Sequence, residues 1–75
     1  MPHVIVKMKQ GRTEEQKSGL TNQLVKAVIQ SLGVGPETIS VELVDVNPDE
    51  WNSSVFETDI APKLGELAKE PGTLQ

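Results

Sequence analysis

The chain has 75 residues, 11 acidic against 7 basic side chains, a net charge of −4 and no cysteine. That leaves room for one domain, residues 1–75, and excludes disulfides and thiolate metal sites; a single histidine cannot build a zinc centre, so no metal is expected. With one Arg and only Trp51 and Phe56 as aromatic residues, the chain lacks a basic surface and a stacking platform, and no nucleic-acid partner is expected.

The start, Met-Pro-His-Val-Ile-Val-Lys, has no signal-like apolar run, and no stretch approaches the roughly 20 apolar residues of a membrane helix. A cytoplasmic location away from any membrane is the expectation. A core this small rarely contributes more than about 3–5 kcal/mol, so, with disulfide and metal excluded, association with further copies is the expected source of stability.

In chain order, His3–Lys9 (HVIVKMK) alternates. Val4, Val6 and Met8 point to one side and His3, Ile5 and Lys7 to the other, as in a strand with one apolar face. Gln10-Gly11-Arg12 breaks the pattern. Thr13-Glu14-Glu15-Gln16 is a capping box that opens a helix with acidic residues where the helix dipole favours them. Leu20, Leu24, Ala27, Val28 and Leu32 then recur at helical spacing, and Gly33 suits the left-handed residue that closes such a helix. Alternation resumes from Ile39 to Val46. Strand, long helix and strand read as a right-handed βαβ unit with parallel strands, α/β in class. Two strands alone leave open edges and a poorly covered face, which a second copy would cover.

Asn47-Pro48-Asp49-Glu50 is a second helix start, with Asn as cap and Pro in the first position, opening a short turn that carries Trp51. From Thr58, Ile60, Leu64 and Leu67 recur at helical spacing. Pro62 is tolerated there only in a first turn, and Pro71-Gly72 ends the C-terminal helix, leaving a frayed tail.

Pro2 is the first chemical candidate. Removal of Met1 would expose a secondary amine at the start of a strand. A free α-amino group titrates near about 8, and burial or a nearby cation lowers that value and raises the neutral, basic fraction. Such an amine can take a proton next to a carbonyl and return it to another carbon. By position alone, a proline that merely opens an edge strand is the favoured reading of Pro2. Arg12, beside the helix cap, suits a carboxylate, although in isolation an ordinary solvated loop position is the favoured reading. Trp51 is either a pocket wall or core. Glu42, Asp45, Asp49 and Glu50 match no calcium loop and read as a solvated face. His3 lies off the core-facing set, at or near a sheet edge.

Together these residues resemble the 4-oxalocrotonate tautomerase family. The likeness begins with Met1-Pro2 and a short apolar strand, and runs through Gly11-Arg12-Thr13-Glu14-Glu15-Gln16-Lys17. It then takes in the amphipathic helix, the second strand and Trp51, spanning about residues 2 to 51. The resemblance implies a βαβ unit assembled as an oligomer and a cofactor-independent keto–enol tautomerase. It implies Pro2 as general base, Arg12 as binder of the carboxylate of a small 2-oxo or enol acid, and Trp51 as a pocket wall. Two departures matter. The family often carries a second Arg on the second strand, where Glu42 is the matching position, so a substrate with one carboxylate, or help from Lys7 or a backbone donor, is expected. Many relatives end in a glycine-rich hairpin that knits a hexamer, whereas this chain continues into Asn52-Ser53-Ser54 and a helix, as in the dimeric branch; a homodimer is favoured over a hexamer. Two alternatives stay open: a cationic Pro2 acting as an acid in hydration, dehalogenation or decarboxylation, and a non-catalytic dimeric binding module.

Overall fold

The computed structural model describes residues 1–72. Strand β1, His3–Lys9, pairs in parallel with β2, Ser40–Val46, through helix α1, Glu14–Leu32. This is the expected βαβ unit. Seven register pairs run from His3↔Ser40 to Lys9↔Val46. The ladder is closed at one end by the Ser40 N–H donating to the Pro2 carbonyl (3.2 Å) and at the other by the Gln10 N–H donating to Val46 (2.9 Å).

The helix starts as its sequence dictates. Thr13 Oγ1 accepts from the Gln16 N–H (3.0 Å) and Gln16 Oε1 accepts from the Thr13 N–H (2.9 Å), so both halves of the capping box are formed. Gly33 ends α1 at φ 69°, with its N–H on the Ile29 carbonyl, a conformation that costs other residues roughly 1–2 kcal/mol.

Register divides the sheet into two faces. Val4, Val6 and Met8 share one with Val41, Leu43 and Asp45, and α1 lies over it, with Lys17 bonded to Asp45 (2.9 Å). The half-buried stripe of α1 includes Leu20, Leu24, Val25, Val28 and Ile29. Ala27 and Leu32, expected in that stripe, are exposed, Leu32 by 63%. A 19-residue helix is about 28 Å long and a seven-residue strand about 23 Å, so α1 is the longer element by nearly one turn.

The other face carries His3, Ile5, Lys7 and Lys9 with Ser40, Glu42, Val44 and Val46, and the chain after β2 covers part of it. Asn47 caps a 3-10 turn, Pro48–Glu50, through Oδ1 and the Asp49 N–H (2.9 Å). A π-helix, Asn52–Ile60, and a 3-10 segment, Ala61–Glu66, follow. The C-terminal helix thus departs from the expected one. Helical winding begins at Asn52, not Thr58, and stops at Glu66, short of Pro71-Gly72. Pro62 does sit in the first turn of its segment. The Thr58 hydroxyl donates to the Ser54 carbonyl (2.7 Å), a competing bond of the kind that bends helices. The expected frayed tail beyond Gly72 lies outside the described residues.

Among the described residues only Val46 (8% exposed) and Val55 (5%) are buried, and no residue of α1 is. No helix among them is long and apolar enough to cross a membrane.

Val55→Ala should remove about 2 kcal/mol of stability, the loss of two buried methyl groups plus a small cavity, read from urea unfolding. Thr13→Ala should remove about 1 kcal/mol through the lost cap.

Candidate active site

Gly11 adopts φ 120°, open to glycine and strained for other residues, and turns the chain out of β1. Arg12 follows at once, exposed and directly ahead of the capping box. Its side chain lines a depression of about 200 Å³ with Met8, Gln16, Lys17 and Leu20. The capping bond occupies the Gln16 side-chain oxygen, leaving its NH₂ free to donate. Lys17 is already neutralised, with Asp45 at 2.9 Å and Glu14 at 3.2 Å. Those hydrogen bonds, Asp45 first, raise its pKa above the ordinary lysine value. Arg12 has no ion-pair partner among the described residues. The depression therefore joins one uncommitted cation to an apolar floor of Met8 and Leu20.

Pro2 lies at the opposite end of the ladder. It is half-buried, its carbonyl held by the Ser40 N–H. Met1 precedes it and is 99% exposed; while Met1 is attached, the Pro2 nitrogen is an amide with no basicity. Six strand steps separate His3 from Lys9, about 20 Å at the rise of a parallel strand, so Pro2 and Arg12 of one chain cannot touch the same small molecule. Glu42 faces Ile5, not Pro2; the β2 residue next to Pro2 is Ser40, whose Oγ lies 2.6 Å from His3 Nδ1.

Trp51 sits at the Arg12 end of the strands but on the other face, with Lys9 Nζ 5.7 Å from its ring centroid, a cation–π contact. It does not line the Arg12 depression. Lys7, the expected reserve cation, is paired with Asp59. Asp59 lies in the π-helix, whose i→i+5 bonding shows where the Ala61 N–H reaches the Phe56 carbonyl.

A family profile described as "Tautomerase enzyme" matches residues 2–54. The chain belongs to the tautomerase family. Among its curated relatives, a Tautomerase PptA from Cronobacter sakazakii is 36% identical over 73 residues, covering 96% of each chain. One from Klebsiella pneumoniae is 37% identical with the same coverage. A probable tautomerase from Xylella fastidiosa is 35% identical, over 96% of this chain and 88% of its own. Among solved structures, YwhB, a homologue of 4-oxalocrotonate tautomerase, superposes with TM-score 0.63 at 33% identity, covering 88% of this chain and 98% of that one. A structure from work on trans-3-chloroacrylic acid dehalogenase activity gives TM-score 0.63 at 26% identity, over 65% of this chain and 92% of that one.

In this member of the family the sequence pattern singles out Pro2, Arg12 and Trp51 but not the residues around them. Gln16 reads as a capping residue and Lys17 as a polar helix position, although their place one turn after Arg12 was a usable signal. Ser40 carries none: only pairing across 37 residues brings it to His3.

The Lys7 hydrogen bond, ahead of charge attraction, holds the Asp59 carboxyl below its ordinary value of 3.8. A depressed folded-state value means that the pair stabilises the fold above that ordinary value and stops doing so as pH falls through the folded one. Asp59→Asn should therefore lower the melting temperature at neutral pH, and the gap to wild type should close between about pH 5 and pH 2.

Proposed function

We propose that this protein is a cofactor-independent keto–enol tautomerase of small enol or 2-oxo acids, working in the cytoplasm as a homodimer. Its base is the Pro2 amine, freed when Met1 is removed. In an enol acid, the neutral nitrogen takes the hydroxyl proton, the O–H bonding pair stays on oxygen as an enolate, and protonated Pro2 then delivers the proton to carbon as the carbonyl forms. Arg12 binds the carboxylate through two parallel hydrogen bonds. With Lys17 and Lys7 held by acids, an acid with a single carboxylate fits best.

The observation that carries this reading is the pairing of family membership with an uncommitted Arg12 over an apolar floor. The strand length adds a constraint: with Pro2 and Arg12 beyond opposite ends of a strand about 20 Å long, a working site takes Pro2 from one copy and Arg12 from the next. Open strand edges and the exposed Ile5 and Leu32 give a second copy surface to cover. Trp51 belongs to the same assembly as a wall at the Arg12 end.

The likeness to a structure studied for trans-3-chloroacrylic acid dehalogenase activity supports a second reading, with cationic Pro2 as an acid. The two differ in their pH–rate profiles. A base requires activity to rise as the amine deprotonates, and an acid requires it to fall.

Intact mass should show that Met1 is absent, and Pro2→Ala should slow phenylenolpyruvate ketonisation by about 10²-fold or more. Equal rates for the two Met1-free proteins would reduce Pro2 to a strand residue. Arg12→Ala should raise KM more than it lowers kcat. At substrate concentrations well below the Arg12→Ala KM, mixing Pro2→Ala and Arg12→Ala chains under subunit exchange should give more activity than the two chains assayed apart, because one junction then has both residues.

A further inference from the structure

The Pro2 end of the ladder holds a polar pair to which the tautomerase reading gives no task. His3 Nδ1 and Ser40 Oγ lie 2.6 Å apart, and the Ser40 N–H donates to the Pro2 carbonyl at 3.2 Å. One residue thus holds both the backbone of the base and the imidazole next to it in sequence. Stability does not account for the contact. His3 and Ser40 are both exposed, so water competes for each group and the net gain is small.

What the contact does set is the imidazole itself. A neutral ring carries one N–H, and the partner of one nitrogen decides which nitrogen bears it. A hydroxyl that donates to Nδ1 leaves the proton on Nε2. Among the described residues, His3 is the only hydrogen-bond partner of Ser40 Oγ.

The proposed reaction lacks such a donor. Arg12, engaged on the carboxylate, grips ground state and transition state alike, which tightens binding without lowering the barrier. Negative charge grows on the enol oxygen, and a donor aimed there acts on the chemical step. We propose that His3 supplies it, its Nε2–H, directed by Ser40, donating a hydrogen bond to the substrate oxygen that becomes enolate while Pro2 holds the migrating proton. His3 transfers no proton in this scheme, and Ser40 is a positioning residue. Glu42 lies on the same face two positions along from Ser40, and its carboxylate disfavours a second anionic group there, which narrows the substrate class to monocarboxylic enols. The assignment rests on Pro2 acting as the base.

The side-chain nitrogen of Gln overlays Nε2 and that of Asn overlays Nδ1, so two isosteres separate the roles. With Met1-free protein and phenylenolpyruvate, His3→Asn should lower kcat by about 10²-fold with little change in KM, and His3→Gln should stay within about tenfold of wild type. The ¹⁵N resonances of the single imidazole should place the proton on Nε2 in wild type and show mixed tautomers in Ser40→Ala, with Ser40→Thr restoring wild-type behaviour. A proton found on Nδ1 in wild type, or wild-type kcat in His3→Asn, would overturn the role of His3. If Pro2→Ala is slow in that second case, Pro2 remains the base and only the donor is wrong. If Pro2→Ala is also unchanged, both assignments fall.

Discussion

Parallel pairing of β1 with β2 is the constraint on which everything else rests. Parallel strands cannot be joined by a tight turn, so the chain must cross over, and α1 is that crossover, laid on the face of Val4, Val6 and Met8. Because both strands run the same way, their starts lie together and their ends lie together. Pro2, His3 and Ser40 share one end; Gly11-Arg12 and Trp51 emerge at the other. The two ends are about 20 Å apart, farther than one small acid reaches.

The two faces of that sheet meet their charges differently. On the helix side, Lys17 reaches Asp45 across the α1–β2 interface, tying the first turn of α1 to the strand and with it the loop that presents Arg12. On the other side, Lys7 and Lys9 would stand on an otherwise open sheet, and the chain after β2 answers each of them, Asp59 for Lys7 and the Trp51 ring for Lys9. Arg12, without an acid partner among the described residues, is left beside an apolar floor of Met8 and Leu20.

Legibility from sequence follows how local the controlling interactions are. β1 and α1 could be read because alternation, a capping box and a glycine closure act within a few residues. The C-terminal segment could not in detail, because apolar spacing from Thr58 fits an α-helix, while the observed π and 3-10 winding goes with a buried Val55 and an Asp59 paired to a lysine 52 positions away. Trp51 was recognisable as a large apolar side chain, but nothing local says that Lys9 would take its ring. Glu42 looked like the β2 position that matters; register sets it opposite Ile5 and sets Ser40 beside Pro2, two positions nearer the start of the strand on the same face.

By itself the sequence determined the order of β1, α1 and β2 and the βαβ class, because these rest on short-range pattern. The run of residues from Pro2 to Trp51 pointed to the family, whose resemblance offers Pro2 and Arg12 as candidates. Only the tertiary structure decided that these two groups stand at opposite ends of the ladder, that Lys7 and Lys17 are already held by acids, and that Ser40 grips both Pro2 and His3. Those are matters of register and of contacts across 28 to 52 residues, and they exist only once the strands have paired.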